Sequence, residues 1–227
     1  MEGSNPVCLI IHGFTGGPYE VMPLAKHLKG LGYLTSVPTL AGHTGNLNDL
    51  ANVNYKDWIA SAESVLVKLL LEHEKVNIIG FSMGGLIGVY LANKYKINTL
   101  VMLSSPIYVG EPKNMALHIC RDMRNKNYQR IKRYVSNCIN TPIKAVINFK
   151  IMVHIMKPLI KKIQIPTLVL QGLKDDVVRP KSAQYIHDNI AAADKQIHYL
   201  PNSAHLVCCD VEKERVFQLV NNFIQLH

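Results

Sequence analysis

The stretch Val76-Asn-Ile-Ile79, followed at once by Gly80-Phe-Ser-Met-Gly84, decides the fold of this chain. Residues 76–79 resemble a buried strand, and a segment with helical periodicity runs from Gly84 to Tyr95. Between them lies the pattern G-x-S-x-G, which places a serine on a strained strand-to-helix turn. Side chains at positions 80 and 84 would collide with the neighbouring strand and helix. The motif therefore predicts a nucleophile elbow that exposes the Ser82 hydroxyl above the sheet edge, against the alternative of a serine in an ordinary tight turn.

Short apolar segments alternate with amphipathic ones on both sides of this turn. Such alternation indicates a mostly parallel sheet flanked by helices, an α/β architecture. The predicted strands are Val7–Ile11, Leu34–Val37, Val76–Ile79, Thr99–Leu103, Thr167–Gln171 and Gln196–Leu200. The predicted helices are Glu20–Leu31, Tyr55–His73, Gly84–Tyr95, Lys181–Ile190 and Val211–Leu226.

The alternation breaks between residues 106 and 163, where the periodicity is helical. From Lys113 to Lys162 this segment holds twelve lysine or arginine residues and one acid, Asp122. We interpret it as a small helical cap at 106–163, inserted between a first core part at 1–105 and a second at 164–227. We expect its apolar positions to form a wall over Ser82, with the basic residues outward. Those positions are Met115, Leu117, Ile119, Ile147, Phe149, Ile151 and Met152.

A serine hydroxyl is a weak nucleophile until a base accepts its proton. His205 lies in a loop between the last predicted strand and the last helix, where it can reach the same sheet edge as Ser82. A carboxylate must then orient the histidine, and both Asp175 and Asp176 follow the strand Thr167–Gln171. We expect activity to rise as His205 loses its proton, with a midpoint near or below the ordinary histidine pKa of about 6.5.

An oxyanion formed on the substrate needs two backbone N–H donors. One is expected from Met83, the residue after the nucleophile. The other is expected from Phe14, because the small Gly13 lets that loop approach the site. We expect His12 to brace the loop. A phosphate cradle is a weak alternative, since the lysine and serine or threonine pair of a P-loop is missing.

Composition excludes several classes of function. Of the 227 residues, 48% are hydrophobic and 18% charged, which is typical of globular proteins. No segment resembles a secretory signal or a membrane span, and five cysteines at irregular spacing favour a reducing cytoplasm. Cys208 and Cys209 near His205 suggest a metal, but adjacent cysteines chelate one ion poorly, so we expect no metal and no cofactor.

The net charge of +9 arises from the basic segment. Such a patch can attract phosphates, acidic substrates or an anionic lipid surface, which allows peripheral membrane contact. The simpler interpretation is a solvated helical surface, because the charges alternate with apolar residues at helical spacing. No nucleic-acid motif is present.

Several motifs together resemble the small bacterial carboxylesterases, which are related to bacterial monoacylglycerol lipases. The resemblance spans nearly the whole chain, and the motifs are HGFTGGPYE at 12–20, PTLAGH at 38–43, DW at 57–58, GFSMGG at 80–85 and SAH at 203–205. It implies an α/β-hydrolase fold, a small cap, and an oxyanion hole from Phe14 and Met83. We interpret His43 and Trp58 as packing elements.

The resemblance also indicates which of Asp175 and Asp176 orients the histidine. Gly172, Asp175 and Val178 match the family pattern G-x-x-D-x-x-V, which implies that Asp175 completes a triad with Ser82 and His205. The chain order serine, aspartate, histidine is that of α/β-hydrolases. One departure stands before the histidine, where the family usually has glycine and this chain has Ala204.

The resemblance and the residues together lead to a functional hypothesis. We expect a serine carboxylesterase that hydrolyses short to medium-chain esters of small molecules through an acyl-enzyme on Ser82. A monoacylglycerol lipase is an alternative, and so is an acyl-thioesterase whose basic cap meets an anionic acyl carrier. A non-catalytic scaffold that binds an apolar ligand would normally have lost a triad residue. Dehalogenases and epoxide hydrolases carry aspartate at the nucleophile position, so Ser82 argues against both.

Overall fold

Apolar strands at the centre of the chain's sheet bury every side chain. The structure, a computed structural model, describes residues 7–110 and 140–227, and within them six strands form one sheet. They are β1 (Val7–Ile11), β2 (Leu34–Ser36), β3 (Val76–Phe81), β4 (Leu100–Leu103), β5 (Thr167–Gly172) and β6 (Lys195–Leu200). The order is β2-β1-β3-β4-β5-β6, with all neighbours parallel. The predicted fold class, a mostly parallel sheet flanked by helices, is confirmed.

Helices cover both faces of the sheet. In the described ranges they are α1 (Met22–Gly30), α2 (Tyr55–Glu72), α3 (Met83–Lys94), α4 (Ile143–Leu159), α5 (Lys181–Asn189) and α6 (Lys213–Gln225). Helices α1 and α6 pack on one face, and α2, α3 and α5 pack on the other. None of these helices combines the length and the apolar content that a membrane crossing requires.

The register of the strands aligns their carboxyl ends. Ile11 of β1 pairs with Gly80 of β3, and Gly172 of β5 pairs with Leu200 of β6. The loops that follow β1, β3, β5 and β6 therefore leave from one edge of the sheet, which is where ligands bind in open parallel sheets.

The segment predicted to be a cap is described only in part. Residues 111–139, which include Met115, Leu117 and Ile119, lie outside the described residues. Helix α4 belongs to the described remainder and packs against α2 and α3. The division into core parts at 1–105 and 164–227 with a cap at 106–163 stays a prediction.

Candidate active site

The turn between β3 and α3 has the backbone geometry that the sequence predicted. Ser82 adopts φ 51° and ψ −120°, a conformation that L-residues rarely occupy. A Cβ on Gly80 would lie 2.3 Å from the carbonyl oxygen of Gly84, and one on Gly84 would lie 2.2 Å from that of Ile11. Both contacts are with backbone atoms, so neither position tolerates a side chain without movement. The predicted strained elbow is confirmed.

Three of the predicted site residues form one hydrogen-bonded row. His205 Nε2 lies 3.1 Å from Ser82 Oγ, and His205 Nδ1 lies 2.8 Å from Asp175 Oδ2. A carboxylate only accepts hydrogen bonds, so the Nδ1–H donates to Asp175 and Nε2 is left to accept from the serine hydroxyl. The arrangement can transfer a proton from Ser82 to His205. The catalytic roles of these residues stay predictions.

Hydrogen bonds fix the Asp175 carboxylate on both oxygens. Its Oδ1 accepts from the backbone N–H groups of Val177 and Val178, at 2.9 and 2.8 Å. Its Oδ2 accepts from His205 and from Gln171 Nε2, the latter at 2.8 Å. Gln171 was not among the predicted site residues, although a polar residue near the end of an apolar strand is a usable signal. The carboxylate that His205 contacts is that of Asp175, while Asp176 is a buried neighbour.

Two acids of the segment before α6 hold the loop that carries His205. Asp210 Oδ2 accepts from the backbone N–H of Ala204 at 2.6 Å. Glu212 Oε2 accepts from the Ser203 hydroxyl and from the backbone N–H of Asn202, both at 2.8 Å. Ala204 is not among the described non-glycine residues with positive φ, so alanine fits where the family usually has glycine. Neither acid was predicted from the sequence.

The charge around His205 makes it a stronger base than expected. Burial of the imidazole lowers its pKa, but the charge and hydrogen bond of Asp175 and the charges of Glu20 and Asp176 outweigh burial, so the pKa of His205 is raised. The raised direction contradicts a midpoint below the ordinary histidine value. The sequence does not reveal that the charges of three carboxylates act on this ring.

The two predicted oxyanion donors, Phe14 and Met83, have backbone N–H groups without hydrogen-bond partners among the described residues. The Met83 N–H lies at the start of helix α3, where the helix dipole favours negative charge. His12 braces the loop that carries Phe14: its Nδ1 bonds the Gly13 carbonyl oxygen at 2.9 Å, and its Nε2 accepts from the Leu40 N–H at 3.2 Å. Burial lowers the pKa of His12 to about 4, so the ring stays neutral.

Another buried carboxylate lies in the same loop. Glu20 Oε2 accepts a hydrogen bond from the backbone N–H of Gly13 at 3.0 Å. Glu20 is the last residue of the motif HGFTGGPYE at 12–20, but the sequence predicted no role for it. Its contact with the oxyanion loop makes it a further residue of the site.

Helix α4 contacts the site through one aromatic residue. The ring of Phe149 stacks on that of Phe14, with centroids 4.9 Å apart and planes 8° apart. Met152 is buried, but Ile147 and Ile151 are exposed on the outer side, so the predicted wall was wrong at these two positions. The inward face follows Ala145, Phe149 and Met152 at helical spacing, which turns residues 147 and 151 outward.

The described residues contain no group of three histidine, cysteine or acidic side chains that could hold a metal ion. Both ring nitrogens of His205 already face Ser82 and Asp175. Cys208 is buried, and burial raises the pKa of its thiol. The expectation of no metal and no cofactor stays a prediction.

Comparison with known proteins shows the family. The chain is 26% identical to a thermostable monoacylglycerol lipase of Bacillus sp. (strain H-257), over 96% of this chain and 90% of that protein. It is 24% identical to a carboxylesterase of Bacillus subtilis (strain 168), over 99% and 94% of the two chains. A solved structure from work on the metagenome-derived lipolytic enzymes LipS and LipT has a TM-score of 0.83 at 22% identity, covering 99% of this chain and 95% of that one.

Two family profiles also match. The second of them, described as serine aminopeptidase S33, covers residues 124–212. The first, described as the alpha/beta hydrolase fold, covers residues 6–154, well over half of the chain. The chain therefore belongs to the α/β-hydrolase fold family.

Proposed function

We propose that this protein is a serine carboxylic-ester hydrolase, with Ser82 as nucleophile, His205 as general base and acid, and Asp175 as the orienting carboxylate. The observation that carries the proposal is the row of hydrogen bonds from Ser82 Oγ through His205 to Asp175, at 3.1 and 2.8 Å. The names of the two Bacillus relatives, a monoacylglycerol lipase and a carboxylesterase, support ester hydrolysis as the reaction.

In the first half of the reaction, Ser82 Oγ attacks the ester carbonyl carbon while its proton passes to His205 Nε2. The carbonyl oxygen becomes an oxyanion, which accepts hydrogen bonds from the N–H groups of Phe14 and Met83. The intermediate then collapses: the bond to the alkoxy oxygen breaks, and the alcohol leaves with the proton from Nε2. An acyl-enzyme on Ser82 remains.

In the second half, water takes the place of the alcohol. His205 Nε2 accepts a proton from the water as its oxygen attacks the acyl carbon, and the same N–H groups receive the second oxyanion. Collapse breaks the bond to Ser82 Oγ, which recovers its proton from His205. The carboxylic acid is released, and the enzyme returns to its starting state without a cofactor.

The substrate class in this proposal is short to medium-chain monoesters of small molecules. Phe149 stacks on Phe14 beside the oxyanion loop, which supports an apolar acyl site of limited depth. Monoacylglycerols are the alternative that the Bacillus lipase relative favours. Acyl-thioesters stay a further alternative, supported by the absence of acids in helix α4, which carries three lysines.

We place the reaction in the cytoplasm as part of the same proposal. Cys8, Cys208 and Cys209 are free thiols, which is typical of a reducing compartment. The basic character of helix α4 supports peripheral contact with anionic surfaces, and nucleic acid is not a proposed partner.

The test is a panel of nitrophenyl esters of rising acyl length, monoacylglycerols and acyl-thioesters. We expect Ser82→Ala to lose at least about a thousandfold in kcat/KM on the best substrate, with an unchanged circular dichroism spectrum. Ser64→Ala, on the exposed side of α2, is the matched control and should retain wild-type activity. A serine-reactive phosphonate should label the protein once, at Ser82.

The panel also distinguishes the alternatives. A thioester preferred over every neutral ester, with kcat/KM falling steeply as salt rises, would replace the esterase proposal by a thioesterase. No turnover of any panel member, together with no phosphonate labelling, would leave a non-catalytic scaffold. Full activity in Ser82→Ala would disprove the mechanism.

A further inference from the structure

A carboxylate without a role in the reaction above lies inside the oxyanion loop. Glu20 ends the short 3-10 helix Pro18–Glu20, and only 8% of its surface is exposed. Its Oε2 accepts the hydrogen bond from the Gly13 N–H at 3.0 Å. Removing a carboxylate from water is unfavourable, so a buried one is expected to serve a structural or chemical purpose.

The oxyanion loop folds closely around this carboxylate. A Cβ on Gly16 would stand 2.1 Å from Glu20 Oε2, so a side chain at position 16 would displace the carboxylate. The point where a Gly13 Cβ would stand lies 3.2 Å from Glu20 Oε2 and also 3.2 Å from Ser82 Cβ. Gly13 therefore lies between the Glu20 carboxylate and Ser82. Glu20 holds Gly13 in place, and the next residue, Phe14, carries the predicted oxyanion N–H.

Glu20 also contributes to the charge around His205. The groups that act on the imidazole are Asp175 and Asp176 from the loop after β5, Glu20 from the loop after β1, and the hydroxyl of Ser82. On the side of the His205 loop, the thiol of Cys209 donates a hydrogen bond to the backbone carbonyl oxygen of Glu20 at 3.4 Å. Burial raises the pKa of the Cys208 thiol, and the Glu20 charge adds to that rise.

We propose that Glu20 is a positioning residue for the ester hydrolysis put forward above. Its carboxylate accepts the Gly13 N–H and so holds the His12–Gly13 peptide, which places the following Phe14 N–H toward the oxyanion. Its charge stabilises the imidazolium that forms on His205 at each proton transfer. The inference rests on the proposed function for its kinetic consequence, and on the contacts of Gly13 and Gly16 for its geometry.

Two substitutions separate the two roles. Glu20→Gln keeps the length and an acceptor oxygen for the Gly13 N–H but removes the charge. We expect the midpoint of the acidic limb of kcat/KM to fall by about half a pH unit, because the imidazolium loses a stabilising neighbour. Glu20→Asp keeps a charge but is too short for the hydrogen bond. We expect its plateau kcat to fall about tenfold or more with little change in KM and in the midpoint, because an oxyanion donor is displaced.

The matched control for charge is Glu63→Gln. Glu63 pairs with Lys94 at 2.7 Å on the outer side of α2 and α3, so its loss removes one negative charge away from the site. A midpoint that moves no further in Glu20→Gln than in Glu63→Gln would overturn the electrostatic role. A wild-type plateau kcat in Glu20→Asp would overturn the positioning role. If Glu20→Gln does not fold, the Glu20→Asp plateau still decides the second role.

An NMR titration of the His205 imidazole, assigned with His205→Asn, measures the charge effect without turnover. We expect its midpoint to fall in Glu20→Gln and to stay unchanged in Glu63→Gln. An inactive wild type whose His205 resonance still responds to Glu20→Gln would disprove ester hydrolysis and retain the influence of Glu20. If the wild type is active but Glu20→Gln leaves the titration midpoint of His205 unchanged, the inference about the Glu20 charge is overturned while the proposed ester hydrolysis stands.

Discussion

The carboxyl edge of the sheet and helix α4 are built by different kinds of contact. At the sheet edge, backbone atoms restrict the chain: a Cβ on Gly80 or Gly84 would lie within 2.8 Å of three of them. Helix α4 is held by side chains, and its outer face exposes the isoleucine row Ile143, Ile147, Ile151 and Ile155. Backbone contacts leave one geometry for the reacting atoms, whereas side-chain packing can vary with the substrate. Under the proposed function, we therefore expect the sheet edge to fix the geometry of bond cleavage and helix α4 to influence substrate choice.

The largest effect expected at the sheet edge, after loss of the nucleophile, comes from Asp175. Asp175→Asn should lower kcat by roughly a thousandfold to ten-thousandfold, because the amide cannot hold the imidazole in the tautomer that leaves Nε2 free. Asp176→Asn is the matched control, a buried neighbour on the same loop, and should lose less than about tenfold because Asp175 still makes the hydrogen bond to His205. Steady-state kinetics on one nitrophenyl ester at pH 8 measures both. The opposite ranking would assign the triad acid to Asp176.

A second prediction tests whether the elbow is restricted by backbone contact. Gly84→Ala places a methyl group 2.2 Å from the Ile11 carbonyl oxygen, so strand or helix must move. We expect a loss of roughly 3 kcal/mol in the free energy of unfolding. We also expect kcat to fall on the order of a hundredfold, since small misplacements of reacting groups are costly.

Gly30→Ala is the control for this substitution, because a Cβ there meets nothing within 4 Å at the end of α1. It should leave activity unchanged and stabilise the protein by about 0.4–1 kcal/mol through the unfolded state. Urea unfolding and kcat are measured on both variants. A Gly84→Ala protein with wild-type stability and activity would refute the distinction between the two regions.

The same contrast explains what could be predicted from the sequence. The predicted strands and the helices α1 to α3, α5 and α6 agree with the structure to within about two residues, since hydrophobic periodicity is a local signal. The elbow was predictable because the glycines two residues before and after the serine mark positions where a side chain would collide with backbone atoms. Ser82, His205 and the pair Asp175 and Asp176 could be selected because parallel strands bring their carboxyl ends to one edge. The choice of Asp175 from that pair needed the family pattern.

The supporting residues could not be found in this way. Glu20 and Asp210 accept hydrogen bonds from backbone N–H groups of loops, and no local pattern distinguishes such a partner from an ordinary polar residue. Gln171 bonds the side chain of Asp175, and its local signal is that of a polar residue near the end of an apolar strand. The pKa direction of His205 was wrong for the same reason, because it depends on charges from two separate loops. In helix α4 the composition indicated an apolar wall, but the rotation of the helix about its axis decides which residues face inward.

The smallest expected effect concerns helix α4 and substrate length. Phe149 stacks on Phe14 beside the oxyanion loop, whereas Ile151 is 42% exposed on the outer face of the same helix. Each acyl methylene that enters an apolar site contributes about 0.8 kcal/mol, or roughly fourfold in kcat/KM, until the site is full.

Phe149→Ala should extend that rise to longer chains, because the volume of the lost ring becomes available to the acyl group. It should also lower kcat/KM for the shortest esters by roughly threefold to tenfold, because part of the apolar contact is lost.

Ile151→Ala is the matched control. It should change kcat/KM for long and for short esters by no more than about twofold, as expected for an exposed side chain. The measurement is kcat/KM for nitrophenyl esters of increasing length in the three proteins. An equal change of chain-length preference in both variants would mean that the outer face of helix α4, and not its contact with Phe14, selects the acyl group.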